Sequence, residues 1–230
     1  LKKLIGGRRD VTLSAITIDE GIEGYRDNRV AARIAETIGT DLIAASFKDM
    51  FGVTVDSVVR DKGDRLSCSY CGVLRRQCLN RTAKEHGITK LALGFNLDDE
   101  AQSVLMNVFR GDADRLLRPA VPVEGLVPRI RPFLYVPERE VALYAFLHVD
   151  GFEIGRCPYS HNALRADVRS VLNDYDWRHP STKYSLVNLG ERLASCGGLP
   201  ETGFSACPAC GEPCIGECRS CRILQEVLHV

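Results

Sequence analysis

The C-terminal run CPAC (207–210), seven intervening residues and CRSC (218–221) sets four thiols in two CxxC knuckles within fifteen residues. A stretch that short buries no apolar core of its own, and its spacing suits four tetrahedral thiolates around Zn²⁺. Cys207, Cys210, Cys218 and Cys221 are therefore expected to close a small structural metal knuckle. A second sulfur group is looser: Cys68 and Cys71 form one CxxC, with Cys157 far along the chain. Three thiolates leave a bound metal one open position, where chemistry can occur. The first group reads as structural and the second as reactive.

The second group admits three readings. A zinc site would need a fourth ligand such as Cys78 or His161. Cys78 lies seven residues past Cys71, about 10 Å along a helix, too far to share one metal unless the segment bends. A [4Fe-4S] cluster with one open iron, or bare thiols carrying persulfide sulfur, are the other two. Cys78 and Cys196 themselves read as buried small hydrophobes.

A chain of 230 residues is long enough for one large domain with a small appendage. The apolar and charged fractions, 45% and 26%, are those of a soluble globular protein. No apolar run approaches the roughly 20 residues of a membrane span, and no secretory signal opens the chain. Cysteines at metal spacing imply a reducing compartment, so a cytoplasmic location is expected. Lys plus Arg equals Asp plus Glu at 30 each, so total charge gives no hint of an acidic partner. Locally, Arg75 and Arg76, then Arg110, Arg115 and Arg118, then Arg129 and Arg131 form clusters that could track a phosphate backbone. Each alone reads better as a solvated face.

Residues 1–7 read as the end of a helix stopped by Gly6 and Gly7. VTLSAITID (11–19) and DLIAASF (41–47) read as strands around a helix over 27–39, followed by a polar stretch. A helix is expected over 69–87, a strand over 89–95, a helix over 97–111, another from near Pro137, and another over 161–175. This alternation predicts an α/β fold with a parallel sheet and helices on both faces. Ligands then bind beyond the carboxyl ends of the strands, which singles out the loops 18–21 and 94–99. Residues 1–194 are expected to form the main domain. A Gly-, Pro- and Ser-rich linker over 195–204 leads to a metal-binding domain over 205–230.

Asp98 and Asp99 stand where a strand hands over to a helix. Carboxylates there can hold Mg²⁺ near a nucleotide phosphate or act as a base, and they serve equally as a helix cap with an acidic first turn. Glu100 reads as compensation of the helix dipole. His161 and Asn162 follow the turn at Cys157 and read as helix caps; the remaining histidines read as surface residues. Trp177, the one tryptophan, is expected to pack against the protein rather than to stack on a base.

The strings CSYCGVLRRQCLN, GFNLDDEAQSVLMNVFRGD, CPYSHNALRADVR and TKYSLV, with the terminal CxxC pair, resemble the tRNA 2-thiouridine synthetases of the TtuA, NcsA and cytosolic thiouridylase group. The resemblance runs from about Ile16 to Leu224. It implies a PP-loop ATP pyrophosphatase of HUP-type α/β fold, which adenylates the 2-carbonyl oxygen of a tRNA uridine, replaces it with sulfur and releases AMP. By position, Cys68, Cys71 and Cys157 match the family's ligands of an oxygen-sensitive [4Fe-4S] cluster. Asp99 matches a catalytic aspartate, and Arg75 stands where bacterial members carry a catalytic lysine, with less capacity for proton transfer. Asp19 and Gly21 match the adenine-pocket loop, with Gly94 and Asp98 as further nucleotide-site candidates for ATP with Mg²⁺.

Departures accompany the match. The family's SGGxDS phosphate loop and N-terminal zinc finger are expected to precede Leu1. Phe95 replaces the usual histidine of GHN, and Cys214 is a fifth cysteine inside the knuckle. The resemblance implies tRNA as substrate, wobble uridine 34 over uridine 54, a ubiquitin-like sulfur carrier or inorganic sulfide as donor, and a homodimer. Rival readings are a cluster-free persulfide thiolase, a non-catalytic zinc-ribbon RNA binder and a PP-loop enzyme that thiolates cytidine. The C-terminal knuckle counts against the last.

Overall fold

A computed structural model describes residues 1–119, 121–150, 155–197 and 203–228. After a short helix α1 (Lys2–Ile5), strand β1 (Ser14–Asp19), helix α2 (Asn28–Thr37) and strand β2 (Asp41–Ser46) form a crossover unit. The two strands pair in parallel, with Ile16 opposite Ile43. Gly39, at φ +63°, closes α2 as the sequence suggests.

The polar stretch that follows is more regular than its composition suggests. It folds into α3 (Phe47–Phe51), capped by Ser46, and α4 (Val55–Lys62), opened by a reciprocal Thr54–Ser57 capping box. Phe47, Phe51, Val55 and Val58 turn inward and supply one wall of the main core. Across from them runs the long helix α5 (Ser67–Glu85), which buries Leu74 and Cys78 in the same cluster. Cys78 is thus the buried small hydrophobe expected of it.

Only Leu91–Ala92 of the expected third strand enters a ladder, as β3, because its partner β4 (Arg129–Ile130) is equally short. The extended path nevertheless continues: Leu93 N donates to Ile130 O at 2.9 Å and Leu97 N to Val136 O at 3.0 Å. Leu91 and Val127 pack on Ile16 of β1, which brings the two parallel pairs side by side.

Helix α6 (Leu97–Phe109) follows, then α7 (Ala113–Leu116), α8 (Glu138–His148), a 3-10 turn over Pro158–Asn162, α9 (Leu164–Arg178) and α10 (Thr182–Cys196). Leu97, Ala101, Leu172 and Val187 make a second core among α6, α9 and α10. Two expectations fail in this region. Trp177 is 85% exposed, because α9 turns Val168 and Leu172 inward and Trp177 lies about 140° round the helix from Leu172. Cys196 is exposed as well, at the last turn of α10. That helix carries its last two residues into the stretch 195–204, of which 198–202 lie outside the described residues.

The C-terminal segment pairs β5 (Ser205–Ala206) with β6 (Pro213–Cys214) antiparallel and ends in α11 (Arg219–Leu228). Ile223 and Val227 of α11 enter the main core beside α5, so the knuckle is docked against the body.

Candidate active site

Helix α5 begins at Ser67, so Cys68 and Cys71 stand on its first turns, three residues apart and on one face. The turn that starts at Cys157 packs against the same end of α5. Cys68 Sγ donates to Tyr159 O at 3.5 Å, and Cys157 acts electrostatically on both Cys68 and Cys71. Residues 86 positions apart in sequence are thereby brought to one place. Cys71 is buried, Cys157 partly so and Cys68 exposed, so the trio opens on the Cys68 side. Burial pushes the Cys71 thiol up to about 11, and the Arg75 guanidinium pulls it the other way.

Arg75 is placed by what surrounds it. Its Nη2 donates to Cys71 Sγ at 3.1 Å, and its Nε lies 2.8 Å from Glu20 Oε1, a charge contact whose angle does not make a directed hydrogen bond. Glu20 is buried and also faces Arg26 Nη1 at 3.6 Å. The row Glu20, Arg75, Cys71 therefore joins the loop after β1 to the cysteine pair. Sequence reasoning singles out the loop 18–21 but gives Glu20 itself no role. Its one signal is its place, a charge at the carboxyl end of a strand.

On either side of Glu20 the loop is tightly built. Gly21 N donates to Asp19 Oδ1 at 2.8 Å and takes φ +66°, where a Cβ would stand 2.5 Å from the Thr54 side chain. Only glycine fits there without displacing Thr54. Gly94, by contrast, is exposed, and a Cβ on it would meet nothing within 4 Å.

The two aspartates have different surroundings. Asp99 completes a capping box with Asn96: Asp99 N donates to Asn96 Oδ1 at 3.0 Å, and Asn96 N to Asp99 Oδ2 at 3.3 Å. Its other oxygen lies 3.8 Å from Arg165 Nη1. Arg165 also donates to Asp99 O, Gln102 Oε1 and Ser103 Oγ, tying α9 to the first turns of α6. Asp98 is buried, accepts from Glu138 N at 2.7 Å and pairs with Lys183 at the start of α10. Glu100 pairs with Arg131 at 2.6 Å, a partner beyond the helix dipole. Lys183 and Arg165 lie inside the strings TKYSLV and HNALRADVR, but no spacing rule distinguishes them from surface cations.

Neither of the two candidate fourth ligands joins the cysteine trio. α5 runs unbroken past Cys78, which is fully buried in the core. His161 turns its Nε2 to Asp64 at 3.2 Å and its Nδ1 to Pro158 O. The trio also differs from the knuckle in spread. The Sγ atoms of Cys207, Cys210, Cys218 and Cys221 all lie within 4.8 Å of one another, the one such group among the described residues. Their closest pairs are 3.7 Å and 3.8 Å apart, near the edge of about 3.8 Å for a tetrahedron with Zn–S bonds of about 2.3 Å. Backbone N–H groups of Cys210 and Ala209 pull the Cys207 thiol down to about 7, towards the thiolate a metal needs. Cys214 stands outside that group of four, its Sγ 3.4 Å from Gly216 O. The more widely set Cys68, Cys71 and Cys157 suit a cluster, whose ligated irons occupy separate corners, better than a single ion.

No family model matches the chain. Curated relatives do. The tRNA 2-thiolation protein NcsA of Haloferax volcanii is 38% identical across 94% of this chain and 74% of its own length. Cytoplasmic tRNA 2-thiolation protein 1 of Caenorhabditis briggsae is 35% identical across 97% of this chain and 62% of its own. Among solved structures, the U34-tRNA thiolase NcsA from Methanococcus maripaludis with its [4Fe-4S] cluster superposes with a TM-score of 0.82. It is 33% identical, with 98% of this chain and 74% of that one covered. With a relative 38% identical across 94% of its length, the chain belongs to the family of tRNA 2-thiolation proteins.

Proposed function

We propose that this chain carries out ATP-dependent 2-thiolation of a tRNA uridine, the wobble uridine 34. The observation that carries the reading is the meeting of Cys68, Cys71 and Cys157, with the Arg75 guanidinium directed at Cys71. In this reading Cys68, Cys71 and Cys157 hold a [4Fe-4S] cluster. When bound, the cluster would supply an iron without a protein thiolate, open to sulfur as a ligand. A ubiquitin-like carrier or inorganic sulfide delivers that sulfur. Cys207, Cys210, Cys218 and Cys221 hold Zn²⁺, which folds the knuckle.

Uridine O2 is a poor leaving group until it is adenylated. Asp19 and Gly21 line the adenine side of the ATP site, and Gly94 leaves room for the nucleotide. Asp98 fixes Lys183 and the start of α8 beside it. Attack of O2 on the α-phosphorus of Mg²⁺-bound ATP releases pyrophosphate, and Arg75 steadies the negative charge of the adenylate. Asp99, held by Asn96 and Arg165, positions the uridine edge. Sulfur then replaces the adenylated oxygen and AMP leaves. Residues 1–194 carry this chemistry, 205–230 hold zinc, and two copies assemble as a homodimer. The relatives' names and the absence of a helix long and apolar enough to cross a membrane among the described residues accord with action in the cytoplasm.

The test pairs metal analysis with product analysis on anaerobically purified protein. About four iron and four acid-labile sulfide per chain are expected, with ATP-dependent appearance of 2-thiouridine at position 34 and release of AMP. Cys157→Ser should lose both iron and product while zinc stays. Zinc alone in the wild-type protein, with no thiolated nucleoside, would overturn the reading.

A further inference from the structure

The charges of this protein are balanced overall, and most of its arginines with a close partner face an acid: Arg8 meets Asp10, Arg131 meets Glu100 and Arg178 meets Asp174. Arg76, Arg129 and Arg219 are among the arginines outside such pairs, and they are set apart by standing close enough together to act on one another. All three are exposed, and among the described residues none has an acidic partner or a side-chain hydrogen bond. They come from α5, β4 and the first residue of α11, three stretches far apart in sequence.

Asn80 draws those stretches together. It is almost fully buried on α5. Its Nδ2 donates to Glu212 Oε2 at 2.6 Å and to Gly125 O at 3.2 Å, and its Oδ1 accepts from Val127 N at 2.9 Å. One side chain thus ties the turn between the two CxxC knuckles and the approach to β4 to one face of α5. Arg76 lies one helical turn before Asn80 and shares that face. Arg129 stands two residues past Val127, and Arg219 directly follows Cys218 at the edge of the knuckle. Crowding around the Arg76 guanidinium, and then the charges of Arg129, Arg219, Arg115 and Arg75, hold its pKa below the ordinary value although the residue surface is open. Like charges gathered without counter-ions repel one another, and an anion laid across them removes that repulsion. Arg115 is partly neutralised by Asp112 and belongs to the margin.

We propose that Arg76, Arg129 and Arg219 form one docking face for an RNA phosphate backbone, assembled by Asn80 from the main domain and the metal knuckle. Arg76 stands about 12 Å along α5 from Cys68, the exposed member of the cysteine trio, and about 80° round the helix from it. The inference rests on the reading of tRNA as substrate and adds which surface takes it. Guanidinium forks suit phosphate oxygens, and the contacts are indifferent to base sequence.

The test is the salt dependence of binding of an unmodified tRNA transcript to the metal-loaded protein. The triple variant Arg76→Gln, Arg129→Gln, Arg219→Gln is compared with the wild type and with Arg8→Gln, Arg178→Gln, which removes two acid-paired charges. Loss of three phosphate contacts should lower the slope of log K against log salt by about two. Affinity at low salt should fall on the order of 100-fold, with zinc content and thermal midpoint unchanged. The Arg→Lys version of the triple variant, which keeps the charges, should retain most of the slope. Wild-type slope and affinity in a folded triple Gln variant would overturn the docking face and leave the thiolation reading standing. A wild-type protein that binds no tRNA would overturn both.

Discussion

The Tyr159 hydroxyl donates to Asp56 Oδ1 at 2.7 Å, and the other oxygen of the same carboxylate accepts from Glu23 N at 2.8 Å. One aspartate on α4 therefore holds both the Cys157 turn and the loop that follows β1. The backbone carbonyl of Tyr159 is in turn the acceptor for Cys68. Tyr159→Phe is expected to cost about 1.5 kcal/mol, the low end for a hydrogen bond to a charged group, because the pair is partly open to water. It should also hasten loss of iron from purified protein, followed by visible absorbance in air. Unchanged iron retention would mean the cysteine turn stands without this bond.

The same bond has a pH signature. The hydrogen bond to Asp56, with burial and the Asp56 charge behind it, pushes the Tyr159 phenol up to about 12, above the unfolded value of about 10. The neutral form is the one favoured by folding. Its contribution is fully present below about pH 10 and is lost as pH rises towards about 12. The difference in unfolding free energy between wild type and Tyr159→Phe should shrink over that interval, as measured by denaturant titration at stepped pH.

Asp98 and Lys183 form a mostly buried pair, with side chains 5% and 15% exposed. Lys183→Met leaves the carboxylate buried without its cation, and a loss of about 3 kcal/mol is expected. Asp98→Asn combined with Lys183→Met should recover a good part of that loss, since no lone charge remains. A double-mutant cycle by chemical denaturation measures the coupling; strictly additive losses would show that the pair does not act as a unit.

Within the knuckle, Cys214 and Cys221 should behave oppositely. Cys221→Ser removes a ligand from the quartet, and zinc per chain should fall towards zero. Because α11 packs Ile223 and Val227 into the main core, the thermal midpoint should drop by roughly 5–10 °C. Cys214→Ser should keep both zinc and midpoint, its thiol being turned to Gly216 O. Elemental analysis and calorimetry of the two variants give the comparison.

Gly21→Ala meets two obstacles at once, a left-handed φ and the Thr54 side chain 2.5 Å from the new methyl. A loss of about 2 kcal/mol is expected. The apparent KM for ATP should rise with it, because the loop must move away from Thr54. Wild-type stability would show that the turn at Asp19–Gly21 has another conformation open to it.

Much of the site is legible in the sequence because its parts announce themselves chemically. Thiols at metal spacing rarely serve any purpose but ligation or sulfur chemistry, so Cys68, Cys71, Cys157 and the knuckle quartet group together without any geometry. The residues that orient them do not. Asp56, Tyr159, Arg165 and Lys183 are ordinary side chains, and their roles come from distances across the fold that no local spacing encodes. The same division holds for the elements. Helices with clear caps, such as α2 and α6, are visible, and α5 is visible through its length of 19 residues. By contrast, α3 and α4 are hidden because they are short, 5 and 8 residues. Trp177 is misplaced because an aromatic residue is expected to pack by default, and only the phase of α9 about Leu172 shows otherwise.

Helix α5 holds its working residues at fixed angles as well as fixed distances. Cys71 and Asn80 are nine residues apart, about 14 Å of rise and two and a half turns. Between them lie Leu74, buried in the main core, and Arg75, committed to Cys71 and Glu20. One residue inserted or removed in this interval would turn Asn80 by about 100° relative to Cys71 and detach the knuckle from the cysteine trio in a single step. Individual side chains along the interval have room to drift over generations, whereas its length does not. In this part of the gene, substitutions should accumulate while insertions and deletions are purged.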